Sequence, residues 1–243
     1  MPDRPRILAF DDIDSTNSEA RRLAEANEFG SLWITARRQH AGRGRRGRVW
    51  ETGEGNLAAT YLFSTRKPPG EAAQISFVAA LAVLDLVHAY VPDVEVTLKW
   101  PNDPLLGGRK VAGILVESGP ASGGGLWVAV GCGVNLAVAP GDTDRPVTAF
   151  AEHMSNPPPP PSEAIHLLAS AMDSWKALWE FSGFGPIAKA WTRRAHGLGQ
   201  ACEARLTTET VRGVAEGLDD DGALRLRLDD GSIRRITAGD VFF

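Results

Sequence analysis

Cysteine is scarce in this chain. Its 243 residues hold two, Cys132 and Cys202. Neither sits near a second Cys or a His at ligand spacing, which argues against a structural zinc site, and two thiols cannot build a disulfide framework. Such sparing use of thiols suits a reducing, cytoplasmic setting. A long apolar run is also missing. Met1 to Phe10 carries nothing that resembles a signal peptide. The most hydrophobic stretch, Ala72 to Val91, is interrupted by Gln74, Asp85 and His88, so it reads as a buried helix rather than a membrane span. An excess of positive charge is lacking too, since Lys+Arg 26 against Asp+Glu 30 leaves −4. A general polyanion binder is usually basic overall, so only a local basic patch remains open. What is present is an ordinary globular composition, 43% hydrophobic and 23% charged. That excludes disorder as the dominant state and fits one large domain with a small appendage.

The pattern alternates strands and helices before it changes character. Arg6 to Phe10 reads as a strand, and Asp14 to Asn17 supplies capping oxygens for a helix that Gly30 would close. Ser31 to Ala36 and Asn56 to Ser64 read as strands around an irregular segment, 37–55. A helix is expected over 72–91, then strands at Val94 to Trp100, Val111 to Glu117 and Leu126 to Leu136. Residues 137–161 form a connection ending in five prolines, a stiff spacer. Ser162 is expected to cap a helix whose apolar positions run from Ile165 to Trp179, with a further helix over 185–195. From Ala201 the period becomes two, as in Leu224, Leu226 and Leu228 between arginines. A β tail of this size has a marginal core of its own and is expected to dock on the main body.

Three segments carry candidate chemistry. Between Arg37 and Arg48 lie six arginines, no acid, and Gly42, Gly44 and Gly47. Glycines let a backbone approach a ligand and guanidinium groups grip carboxylate or phosphate, so the segment suits a cover over an anionic small molecule. It is no Walker loop, and a solvated basic loop remains the plain alternative. In Lys99-Trp-Pro-Asn-Asp103 the proline ends a strand and turns Asn102 and Asp103 toward a loop, and Lys110 follows a Gly107-Gly108 turn. A lysine there can neutralise a carboxylate and a phosphate together. Gly131-Cys-Gly-Val-Asn135 allows a close strand end and offers an amide.

Together these pieces resemble the biotin protein ligases. The match lies in Asp14-Ser-Thr-Asn17, in Gln39 with the Gly-Arg run and Trp50, in Lys99 to Asp103, in Arg109-Lys110 with Gly113-Ile-Leu, and in Gly131-x-Gly-x-Asn135. They come in the family's order and spacing. The tail, with Gly217-Leu-Asp219, Gly222-x-Leu224 and Ala238-Gly-Asp240-Val241, resembles the family's SH3-like C-terminal domain. The resemblance implies an α+β fold, a mixed-sheet, class II synthetase-like catalytic domain over 1–198 with a small β-barrel over 199–243. It implies an ATP-dependent ligase that makes biotinyl-5′-AMP and then biotinylates a lysine of the biotin carboxyl carrier protein of acetyl-CoA carboxylase or a related carboxylase. ATP with Mg²⁺ and biotin are its substrates, and no tightly held prosthetic group is expected.

The same resemblance assigns residues. Lys110, Arg43 and Asp103 are the catalytic candidates. Ser15, Thr16, Asn17, Gln39, Gly42, Arg43, Gly44, Arg45, Lys110 and Gly113 match biotin-side positions. Arg45, Trp50, Lys99, Asn102 and Asn135 match nucleotide-side positions, with Trp50 a candidate lid. Asp103 is open between orienting or deprotonating the acceptor lysine and holding Mg²⁺, whose ligands are otherwise unassigned. Ser15 already lies in the first catalytic motif, so no DNA-reading helix-turn-helix is expected. The expected setting is cytoplasmic, without DNA or membrane partners, and a homodimer stays open. Pro104, His40 and Cys132 depart from the family's pattern. A lipoyl or octanoyl ligase, with Cys132 as nucleophile in an acyl-enzyme variant, is the nearest alternative. A nucleic-acid module or a non-catalytic sensor lies further off.

Overall fold

The computed structural model describes residues 6–28, 30–141 and 145–243. The chain opens with β1 (Arg6–Ile13), α1 (Thr16–Glu25), β2 (Leu32–Gln39) and β3 (Leu57–Thr65). A single turn, α2 (Pro69–Ala72), leads into α3 (Ile75–Tyr90). Three short strands follow, β4 (Val96–Lys99), β5 (Asp103–Leu106) and β6 (Arg109–Lys110), and then two long ones, β7 (Ala112–Pro120) and β8 (Leu126–Val134). The helices α4 (Pro161–Ser182) and α5 (Phe184–Thr192) precede the C-terminal strands β9 (Ala201–Arg205), β10 (Thr210–Leu218), β11 (Leu224–Arg227), β12 (Ile233–Ile236) and β13 (Asp240–Phe242).

The main sheet runs β1-β2-β3-β8-β7. It is mixed, since β1 lies parallel to β2 and every other neighbour is antiparallel. One face packs on α3 and α4 in a large apolar core that includes Tyr61, Phe63, Val128, Val130 and Cys132. α3 is apolar all round because it is enclosed all round: eleven of its sixteen residues are buried. With the preceding turn α2 it makes a 22-residue stretch, Pro69–Tyr90, long and apolar enough to span a membrane by composition, and the fold uses it as a core helix. The other sheet face is covered only at one end. There Ala20 and Ala24 of α1 pack on Leu32, Ile34, Leu62, Trp127 and Ala129. The rest of that face is left to the cleft described below.

The C-terminal strands form a five-stranded antiparallel sheet, β12-β11-β10-β9-β13, bent by a bulge between Ala215 and Gly217 of β10. This SH3-like unit shares its core with the main body, as the marginal size of the tail required: Cys202, Ala204, Ala215 and Leu224 belong to the same apolar cluster as α3. Gly222 lies so close to Phe77 that a Cβ there would stand 2.8 Å from the ring, and its carbonyl accepts a 3.0 Å hydrogen bond from Trp100 Nε1.

Several boundaries differ from the sequence expectations, for local reasons. α1 ends four residues early, and Asn27 rather than Gly30 adopts the left-handed conformation after it, φ 63. Ser162 is not a cap. α4 starts at Pro161, whose missing N–H costs nothing in a first turn, and Pro160 takes the N-cap position. The last proline of the spacer is thus helical. Residues 142–144 of the expected 137–161 connection lie outside the described residues, and its remainder includes a 3₁₀ turn at Phe150–Glu152.

Candidate active site

A cleft of about 780 Å³ lies on the exposed end of the sheet, under the arginine-rich loop, with the C-terminal domain as its third wall. That volume suits a drug-sized ligand. Its floor is made by side chains that alternation turns away from the core. Thr60, Gly131 and Leu115 form one cross-strand rung and Ala58, Gly133 and Gly113 the next. Apart from Leu115 these residues are small, and across the Ala58–Gly133–Gly113 rung the backbone itself is the floor.

One end of the cleft is uncharged and hydrogen-bonding. Thr16, at the start of α1, points its backbone N–H at Gln39 Oε1, 2.9 Å away, with its hydroxyl 3.2 Å from the same oxygen. Thr60 Oγ1 lies 2.7 Å from both Thr16 Oγ1 and Asn17 Oδ1, and Asn17 Nδ2 donates to Glu117 at 2.8 Å. Ser15, Thr16 and Asn17 are buried here because α1 begins directly over the sheet. Gln39 in turn donates to Thr52 at 2.9 Å.

The other end is charged. Asp103 opens β5, and its Oδ1 accepts from Lys110 Nζ at 2.5 Å. Lys99 stands 3.6 Å and Arg145 3.7 Å from Oδ2. Burial pushes the Asp103 carboxyl up, but Lys110 and then Lys99 outweigh it and hold the group below the ordinary carboxylate range. Lys99 is lowered, first by burial and against the pull of Asp103. The Lys110 backbone is fixed strand-like, its N–H donating to Pro146 and its carbonyl accepting from Thr148. Asn135 Nδ2 donates to Thr148 O at 3.0 Å, which ties the end of β8 to the same segment.

The loop between these ends is a small hairpin. Trp50 N–H donates to Gly42 O at 2.9 Å, Gly44 N–H to Arg48 O at 2.7 Å, and Arg43 bridges Val49. Arg43 donates to Ser18 at 3.1 Å and stands 3.7 Å from Glu117. Arg45 reaches the Gly239 carbonyl at 3.0 Å, and burial lowers its pKa. Asp240 gathers Arg48 at 2.8 Å, Arg145 at 3.4 Å and Arg46 at 3.5 Å. Around the charged end, Lys99, Lys110, Arg45, Arg46, Arg48 and Arg145 gather about Asp103 and Asp240. That concentration of cationic side chains suits a polyanion such as a triphosphate.

The structure brings most of the sequence-named residues together. Ser15, Thr16, Asn17 and Gln39 line the polar end. Arg43, Gly44, Arg45 and Trp50 form the cover, and Gly113 the floor. Asp103, Lys110 and Asn135 line the charged end. Three lie apart. Gly42 borders a smaller neighbouring cavity beyond Trp50. Lys99 reaches Asp103 from behind the cleft wall, and Asn102 is buried with its Nδ2 3.5 Å from Ile114 O and no partner for Oδ1. Arg48, Arg145, Asp240 and Phe242 line the cleft and were not singled out as site residues. Arg48 was visible as one more arginine of the run. The sequence marks Asp240 only as part of a domain motif, and nothing around Arg145 marks it.

Comparison with known proteins agrees with this geometry. Residues 9–135 match the biotin/lipoate A/B protein ligase family and residues 197–243 the biotin protein ligase C-terminal domain. The chain is 46% identical over 240 residues to the biotin–[acetyl-CoA-carboxylase] ligase of Paracoccus denitrificans, covering 95% of this chain and 97% of that one. It is 29% identical to the bifunctional ligase/repressor BirA of Bacillus subtilis, covering 97% of this chain and 73% of the relative. The fold is that of the Aquifex aeolicus biotin protein ligase solved with biotin and ATP, with a TM-score of 0.84 at 23% identity over 98% of this chain and 97% of that one.

Proposed function

The chain belongs to the biotin/lipoate A/B protein ligase family, and from that premise we propose two half-reactions at this one cleft. The biotin carboxylate attacks the α-phosphorus of ATP, giving biotinyl-5′-AMP and pyrophosphate. The amine of an acceptor lysine then attacks the activated carbonyl, AMP leaves, and the lysine proton is released. The acceptor is the biotin carboxyl carrier protein of the carboxylase, as the Paracoccus relative's acetyl-CoA-carboxylase specificity implies. The observation that carries the reading is the polarity of the cleft: a neutral hydrogen-bonding end at Thr16 and Gln39, a small-residue floor, and a cationic end at Lys110.

Each part has a physical task. A ureido ring offers donors and acceptors but no charge, which suits Ser15, Thr16, Asn17 and Gln39. Bringing a carboxylate onto a phosphate is repulsive, and Lys110 offsets that repulsion as charge develops in the transition state. Asp103 holds Lys110 in place. Its carboxylate is kept ionised by three cations and is a weak base, so orientation fits it better than proton abstraction. Arg43, Gly44 and Arg45 close over the adenylate and keep water from the mixed anhydride. Trp50 walls the ligand, and Asn135 lies on the nucleotide side.

Magnesium does not fit a protein-held site. Its usual ligands are one or two free carboxylates beside substrate phosphates, whereas the Asp103 oxygens are taken by Lys110, Lys99 and Arg145. Among the described residues no three His, Cys, Asp or Glu side chains gather for a metal. The acyl-enzyme route through Cys132 is disfavoured as well, because burial pushes that thiol up to about 12. The test is ATP–pyrophosphate exchange with biotin, lipoate and octanoate offered separately. Exchange with biotin alone is expected, and exchange with lipoate alone would move the chain to the lipoyl branch.

A further inference from the structure

β8 ends where both of its neighbours begin. Val134 pairs with Leu57 at the start of β3 and with Ala112 at the start of β7, so the residues after it leave the sheet with no ladder to take their N–H groups. Asn135 is caught at once, its N–H by the Val111 carbonyl at 2.9 Å and its side chain by Thr148. The next three residues are caught by one side chain. The N–H groups of Leu136, Ala137 and Val138 donate to Asn56 Oδ1 at 3.0, 2.9 and 3.1 Å, and Asn56 Nδ2 donates to the Val138 carbonyl at 2.7 Å. Asn56 immediately precedes β3, so its carboxamide continues the bonding of the sheet past the point where the strands stop. Asn56 is buried and lines neither the cleft nor the smaller cavity. A tight turn aims it, with its own N–H donating to Gly53 O at 3.1 Å. Two glycines of that turn make room for the clasped residues: a Cβ at Gly53 would overlap Val138 Cγ1, and one at Gly55, φ 79, would stand 2.8 Å from Ala137 Cβ.

The clasped backbone leads to a wall of the cleft. Pro140 lines both cavities, and Arg145 and Val147 line the cleft further along the chain. The returning leg is held by Lys110, whose backbone pairs with Pro146 and Thr148. We infer that Asn56 is a positioning residue for the nucleotide: it holds the departing leg, 136–138, so that the Pro140 wall stands in place before ATP arrives, and it does so without touching ATP. The inference rests on the ligase reading above. A wall that the ligand must order for itself lowers the apparent affinity by the fraction of time it is in place. Once ATP is bound the wall is in place in either case, so the chemical step is unaffected. The contacts of the polar end, from Thr16 through Gln39 to Thr52, are made without Asn56, so biotin binding is independent of the clasp.

The experiment is biotin-dependent pyrophosphate release by the full chain with ATP varied at saturating biotin, beside calorimetric biotin binding and amide hydrogen exchange over 136–138. Asn56→Ala is expected to raise KM for ATP about tenfold. Its kcat and its affinity for biotin should match those of the unsubstituted chain, and its 136–138 amides should exchange faster. Gly53→Ala keeps the carboxamide but pushes on Val138, and it is expected to raise KM for ATP in the same way. An unchanged KM in Asn56→Ala overturns the inference and leaves the ligase reading standing. So does a KM that rises only together with a lost melting temperature and weakened biotin binding, which would make Asn56 a general stabiliser. Absence of biotin-dependent turnover by the unsubstituted chain overturns the ligase reading and the inference with it. If Asn56→Ala does not fold, Gly53→Ala decides. If neither folds, the contact serves folding and the inference falls.

Discussion

The Lys110–Asp103 pair is the point at which charge, burial and position meet. Lys110 keeps part of its surface in the cleft while Asp103 is almost enclosed, so the carboxylate is the fixed partner and the ammonium the one presented to substrate. On the function proposed above, removing the ammonium takes away charge stabilisation aimed at the reacting phosphorus, an effect worth about 10²–10³ in rate for a single preorganised donor. Lys110→Ala should therefore lose biotin-dependent pyrophosphate release by at least about a hundredfold, and near-normal release would refute the assignment. Asp103→Asn makes a separable prediction. It keeps the shape but loosens Lys110, so adenylation should fall while single-turnover transfer from preformed biotinyl-5′-AMP stays close to normal. A matching fall in the transfer step would instead give Asp103 a part in activating the acceptor lysine. Lys110 and Asp103 were both legible in the sequence because each sits in a recognisable motif. Their direct pairing was not, because it depends on β5 and β6 folding back on one another through the Gly107-Gly108 turn, where both residues take positive φ.

At the scale of elements, periodicity located the long helices and strands of the main body, with some ends misplaced, but not β5, which falls where the sequence reads as a turn. Backbone conformation at Asn27 and Pro161, rather than a side-chain cap, decided two of those ends. Ser15 holds the N-cap position of α1 yet makes no side-chain cap bond. The Asp14 carboxylate instead accepts the Ser15 N–H at 2.7 Å and two bonds from Arg22, at 2.8 and 3.0 Å. Those contacts, the Arg22 bond foremost, lower its pKa from 3.8 to about 2. A carboxyl whose folded pKa lies below its unfolded value stabilises the fold fully above the unfolded value, and loses that contribution as pH falls toward the folded one. Wild type should thus be more stable than Asp14→Asn by a constant margin above about pH 5. The margin should shrink as pH falls through 3.8 toward 2 and vanish only below the folded value of about 2. Paired denaturant titrations across that range read it directly, and a margin that does not shrink between about pH 5 and pH 2 would mean the anchor is not ionic. Because α1 presents Thr16 and Asn17 to the cleft, the same variant should bind biotin less well at neutral pH.

For the whole molecule, the part least readable from sequence is the third wall of the cleft. The alternating leucines near 224 announced a β tail, but nothing local announced that its last strand would place Asp240 among the loop arginines. The shared apolar core and the packing of Gly222 on Phe77 and Phe184, with Trp100 bonded to its carbonyl, fix the tail where β13 can do so. Asp240 then links the two parts of the protein: Arg145 touches both Asp240 and Asp103, so the carboxylate beside Lys110 and the one in the tail share a guanidinium. Burial raises the Asp240 pKa, while Arg48 and Arg145 more than reverse that, so the group is charged at any working pH. Removing its charge has two opposed consequences. The cationic end becomes more positive by one unit, which favours ATP capture. Arg46, Arg48 and Arg145 lose their common anchor, which costs positioning in the transition state. Salt screens the first over a Debye length of about 8 Å, whereas the second is local and survives screening. Asp240→Asn should therefore lower kcat for adenylate formation by about fivefold, the worth of roughly 1 kcal/mol of positioning, without raising KM for ATP. A raised KM with kcat intact would mean that Asp240 serves nucleotide capture rather than alignment. A loss of melting temperature in proportion to the loss of rate would mean that it serves only to dock the tail.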